Sequence, residues 1–129
     1  MRTKFTSTTP EIQRLLDMTV PELEDAAELG HAASQHFLGN RYIVGSGVPQ
    51  SYAKAFEWQT RAAEQGEAAA MSSLGFLYAQ GQGTPIDYDK AFYWLKKGAD
   101  AGHDEAMSGV GSMLAQVGGE KNTSVQLLF

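Results

Sequence analysis

The amino-acid sequence predicts an all-α protein. It reads as an α/α solenoid of antiparallel helix pairs, with two full repeats between a degenerate N-terminal repeat and an incomplete C-terminal one. Three observations carry this. The chain matches itself when shifted by 36 residues, so that Gly30 falls on Gly66 and Gly66 on Gly102. In that frame Leu38, Gly39, Tyr42, Tyr52, Lys54, Ala55, Phe56 and Trp58 fall on Leu74, Gly75, Tyr78, Tyr88, Lys90, Ala91, Phe92 and Trp94. The shared residues are small, aromatic or turn-forming rather than charged, which is what a repeated packing unit requires. Finally, each copy is broken in its middle by a Gly-x-Gly-x-Pro turn, at Gly45–Pro49 and again at Gly81–Pro85. Two helices joined by so short a turn must run antiparallel.

The elements follow in order. Residues 1–9 are polar and aperiodic and read as a loose tail. Residues 10–129 form one domain, divided at 30, 66 and 102 into a degenerate cap, repeat one, repeat two and a partial repeat three. Pro10 suits the first turn of a helix capped by Thr9, with Ile12, Leu15 and Leu16 as its apolar side. A second short helix spans Thr19 to Gly30, with Glu22, Glu24 and Asp25 near its N-terminus, where the dipole favours acids. In repeat one, helix A runs from His31 to Val44 and helix B, capped by Ser51, from Tyr52 to Gln65. In repeat two, helix A spans Glu67 to Gln80 and helix B, capped by Asp87, runs to Ala101. Gly39 and Gly75 lie mid-helix, where close backbone approach must compensate for a cost of about 1 kcal/mol against Ala; Trp58 and Trp94, or neighbouring rings, are expected to cover the gap. The third copy begins at Gly102 and loses the pattern after Gly119. Val125, Leu127, Leu128 and Phe129 then either cover the open end or leave it to self-associate.

Composition narrows the function. The chain has 129 residues, 10 basic against 15 acidic, for a formal charge of −5. That balance argues against nucleic acid, which needs clustered Lys and Arg, and leaves room for a protein or peptide partner of basic character. With no cysteine, disulfides and thiolate metal sites are excluded. Neither a signal-like apolar run nor a membrane-length one occurs, so a cytoplasmic protein with no membrane partner is expected.

The motifs resemble the Sel-1-like repeat family, relatives of tetratricopeptide repeats. Helix A carries Ala-x-x-x-Leu-Gly-x-x-Tyr as Ser34, Leu38, Gly39, Tyr42 and as Ala70, Leu74, Gly75, Tyr78. Helix B carries Tyr-x-Lys-Ala-x-x-x-Trp as Tyr52, Lys54, Ala55, Trp58 and as Tyr88, Lys90, Ala91, Trp94. The resemblance covers about Ala26 to Gly118 and departs from the family at Ser34 and at both ends. It implies a right-handed superhelix whose A helices line a concave face, and a role as adaptor or scaffold. It also leaves room for a small bacterial immunity protein that neutralises a secretion-system toxin. The β-lactam chemistry described for a cysteine-rich branch of the family is not carried over, because those cysteines are missing here.

If Ser34, Leu38 and Tyr42 face helix B, then at about 100° per residue Ala33, His36, Phe37, Asn40 and Val44 face the groove. The matching positions are Ala69, Ser72, Ser73, Phe76 and Gln80 in repeat two, and Glu105, Ser108, Gly109, Ser112 and Gln116 in repeat three. Phe37 and Phe76 suit binding anchors, although Phe76 could instead pack on the adjacent unit. His36 is expected to be solvent-exposed groove polarity, with Glu57 and Gln59 on the opposite, helix B face. His31 and His103 share one slot at the start of helix A and are expected to take a surface or capping role. Lys54 and Lys90 should form salt bridges or cover aromatic rings with their stems. No nucleophile, acid and base cluster at helical spacing, so the chain reads as a protein-binding module without cofactor, metal or catalytic residues. An inhibitor of one folded toxin is the alternative, and a hydrolase the weakest reading.

Overall fold

The computed structural model describes residues 9–103, 106 and 109–111. They form six helices: α1 (Pro10–Asp17), α2 (Val20–Glu28), α3 (Ala32–Val44), α4 (Tyr52–Glu64), α5 (Ala68–Gln80) and α6 (Tyr88–Asp100). Residues 106 and 109–111 are helical as well, and the described residues contain no strand. The tail at 125–129, and whether it covers the open end, lies outside the described residues.

Each helix starts and stops where its local chemistry dictates. Thr9, Thr19, His31, Ser51 and Asp87 accept N–H bonds of the first turn through their side chains. Thr19 and Glu22 close a full capping box. Helices α3 and α5 end at Gly45 and Gly81, both in the left-handed conformation that other residues resist. The chain then folds back, and α3 packs on α4 and α5 on α6 as antiparallel pairs. Neighbouring units stack through α2 on α3 and α4 on α5. This is the α/α solenoid that the repeat implies.

The core runs through the stack as three successive clusters. The first joins Leu15, Val20, Leu23, Ala27, Leu38, Tyr42 and Ala55. The second, between the units, joins Ala62, Ala63, Ala70, Met71 and Leu74. The third joins Ala91, Phe92, Leu95 and Ala106. Alanine recurs at the seams because it lets helices approach closely without cavities.

The two mid-helix glycines sit at such approaches, but the tryptophans do not cover them. A Cβ on Gly39 would lie 2.7 Å from Gln59 Nε2, and one on Gly75 would lie 2.6 Å from Leu95 Cγ and 3.0 Å from the Ala91 carbonyl. The residue after each tryptophan fills the space. Trp58 instead stacks under the Arg61 guanidinium and Trp94 against Tyr93 and Lys97. Lys54 and Lys90 lie over the rings of Tyr42 and Tyr78, so of the two roles expected for them the ring contact is the one observed.

Candidate functional site

The A-helix residues expected in the groove divide into three groups. Asn40, Val44 and Gln80 are exposed, Val44 to 71%. Ala33, Phe37, Ala69, Ser73 and Phe76 are half-buried. His36 and Ser72 are buried, at 8% and 1% exposure, which corrects the expectation that His36 is groove polarity facing solvent. Glu105, Ser108, Ser112 and Gln116 lie outside the described residues, and Gly109 is buried.

His36 is drawn inward by a residue the sequence seemed to place on the opposite face. Gln59 is fully buried rather than on the outer side of helix B. Its Nε2 donates to the His36 carbonyl at 3.2 Å and to Asn40 Oδ1 at 3.0 Å. That fixes which way the Gln59 amide points, because a carbonyl can only accept. Gln59 Oε1 therefore accepts from His36 Nδ1–H at 2.9 Å, and His36 Nε2 accepts from Asn40 Nδ2 at 3.4 Å. The circuit holds an imidazole with a proton on Nδ1, tied across α3 and α4.

Among the described residues, repeat two shows no such circuit. Ser72 bonds His103 Nδ1 at 2.9 Å, so His103 reaches back to α5 instead of repeating the capping bond of His31. Phe76 packs on the cluster of Ala91, Phe92, Leu95 and Ala106, the contact with the adjacent unit. Phe37 packs on the first core cluster and meets the His36 ring edge-on at a centroid distance of 5.5 Å. What remains on α3 is one stripe, Ala33, Phe37, Asn40 and Val44, spaced three, four or seven residues apart.

Two serine–histidine contacts invite a catalytic interpretation. Ser34 Oγ lies 2.6 Å from His31 Nδ1, and His31 Nε2 lies 3.9 Å from a Glu11 carboxylate oxygen. Yet Ser34 is fully buried and Ser72 nearly so, so neither hydroxyl lies where a substrate could reach it in this structure. His31 also accepts the Ser34 N–H at 3.3 Å, the capping bond expected of it. Among the described residues no group of three or more His, Asp or Glu is placed to hold a metal, and no helix is long and apolar enough to cross a membrane.

Gln59 is the residue that sequence reasoning missed. The signal was present: Gln59 breaks the repeat, standing where Leu95 stands one period later, opposite a glycine that does repeat.

Comparison with known proteins agrees with this architecture. The Sel1 repeat model matches residues 32–67 and 68–103, more than half of the chain. A solved protective antigen of uropathogenic Escherichia coli strains, displaying an SLR fold, is 37% identical with a TM-score of 0.72. The match covers 78% of this chain but only 21% of the antigen. A Sel1 repeat protein from Oxalobacter formigenes is 38% identical with a TM-score of 0.63, covering 64% of this chain and 63% of that one. Cysteine-rich protein B of Helicobacter pylori shares the fold, with a TM-score of 0.65 at 24% identity over 69% of this chain and 67% of its own. None of the curated proteins compared with the chain matches it.

Proposed function

The chain belongs to the Sel1 repeat family, and from that premise we propose that it is a protein-binding module whose A-helix face holds a segment of a protein partner. The observation that carries this reading is the α3 stripe. Val44 is exposed at the C-terminal end of α3 and Phe37 is half-buried near its middle, with Asn40 between them. Rings and aliphatic groups fixed on a packed scaffold lose little entropy on binding and suit the buried centre of an interface. Ser73, Phe76 and Gln80 on α5 extend the same face into repeat two. Partial exposure makes Phe76 a minor contributor, because its ring is already engaged in the third cluster.

Charge favours a basic partner. Residues 9–28 hold six acidic side chains against Arg14, which amounts to the net charge of the whole chain. Such a field acts mainly on the rate of encounter, and the apolar stripe supplies the affinity.

The experiment is affinity capture from the native lysate, identification of the bound protein, and calorimetric titration of that protein with variants. Phe37→Ala and Val44→Asp should each weaken binding by about 1–2 kcal/mol with the fold intact. Glu57→Ala, on the exposed side of α4, should change it by less than about 0.5 kcal/mol. Loss of binding with Glu57→Ala but not with the α3 variants would place the site on the B helices. Capture of a folded toxin at nanomolar or tighter affinity would narrow the module to an inhibitor.

A further inference from the structure

Helix α1 is held unlike any helix of the repeats. It contributes one buried residue, Leu15, whereas α3 and α5 each bury six and α4 and α6 each bury four. Ile12 and Leu16 remain 40% and 49% exposed. Its main packing partner is α3, not the α2 that follows it. Between α1 and α2 lies an open depression of about 380 Å³ lined by Arg14, Asp17, Met18 and Glu22.

The connection is built to turn. Met18 and Thr19 are both extended, at φ −70°, ψ 144° and φ −74°, ψ 164°, so the helical ladder is interrupted there. Helix α2 does not need α1 to finish its N-terminus. Thr19 N–H donates to Glu22 Oε1 at 2.8 Å, Glu22 N–H donates to Thr19 Oγ1 at 3.4 Å, and Leu23 N–H donates to the Thr19 carbonyl at 2.9 Å. All three bonds lie on the α2 side of the connection and survive if α1 swings away.

Few links oppose that swing. Arg41 Nη2 donates to the Met18 carbonyl at 2.8 Å, which is at the pivot itself, and to the Leu16 carbonyl at 3.3 Å. At α3's flank a Glu11 carboxylate oxygen lies 3.9 Å from His31 Nε2, a contact between exposed side chains. Releasing α1 therefore costs the seat of Leu15, one longer hydrogen bond and a weak surface pair. Opening any repeat helix would instead unseat four or six buried residues where α1 gives up one.

We propose that α1 is a latch that pivots at Met18–Thr19 and opens while the repeats stay folded, uncovering the apolar seat of Leu15 on the first repeat. The test is native-state amide hydrogen exchange of the full chain at several low denaturant concentrations. The amides of Gln13 to Asp17 should be protected, but at least about a hundredfold less than those of Leu38 and Leu74, with little dependence on denaturant. Leu74→Ala, in the cluster between the repeats, should speed exchange of the Leu38 amide about tenfold or more and leave the α1 amides unchanged, because the open and closed forms of α1 lose that contact alike. Equal protection and equal denaturant slopes in α1 and α3 would overturn the proposal, since opening would then be global. So would a loss of protection in α1 matching that in α3 on Leu74→Ala. Unprotected α1 amides in the native chain would overturn it too, because a latch must close.

Discussion

The two full repeats share a backbone and differ inside. At the same depth, opposite the same mid-helix glycine, repeat one places Gln59 and repeat two places Leu95. The residues around them have changed in concert: His36 and Asn40 in repeat one stand where Ser72 and Phe76 stand in repeat two. One interior is a closed hydrogen-bond circuit, the other an apolar contact with the next unit. The repeat thus constrains turns, caps and close approaches, while helix A and helix B choose their shared chemistry together. A buried amide is tolerable only when every partner is supplied, and the circuit supplies them all.

The largest test of this comparison concerns the glycine. Gly75→Leu should lower the unfolding free energy by about 3 kcal/mol, because the new side chain meets Leu95 and the α6 backbone, which cannot give way. A urea melt of unchanged midpoint would mean that α5 and α6 do not need that contact.

Next comes the exchange of one interior for the other. Gln59→Leu puts repeat two's residue into repeat one and removes the amide's bonds to the His36 ring, the His36 carbonyl and Asn40, which should cost about 2 kcal/mol. Adding His36→Ser and Asn40→Phe to it should return stability to within about 1 kcal/mol of the native chain, a strong departure from additivity. If the triple variant is as unstable as the sum of its parts, the three positions are not a unit. In the native chain nitrogen-15 spectra should show the His36 proton on Nδ1, since the Gln59 amide orientation leaves no other arrangement.

Much of this molecule was legible beforehand for a physical reason. Caps and turns are local, so Ser51, Asp87, Gly45 and Gly81 could be assigned from neighbours a few residues away. The direction of His36 was not local. A two-faced helix has an inside and an outside, but a solenoid A helix touches its own B helix and also its neighbours in the stack. His36 is buried against its own B helix, and its orientation depends on Gln59, 23 residues further on. The same difficulty hid Gln59, which amphipathic counting put on the outer side of α4. Ser72 was misplaced likewise, its partner His103 being 31 residues away.

The smallest expected effect tests what the repeats hold in common. Lys54 Nζ lies 5.6 Å from the Tyr42 ring centre and Lys90 Nζ 5.7 Å from that of Tyr78, with both lysines exposed. Geometry and exposure match, so Lys54→Met and Lys90→Met should each cost about 0.5 kcal/mol and differ from one another by less than the error of a denaturant titration. Methionine keeps most of the stem that covers the ring, so the loss reports the charge over the aromatic face. High salt should shrink both losses alike. If repeat one loses more than repeat two, the polar circuit of repeat one would be coupled to the surface pair, and the interior difference between the repeats would extend to their outer face.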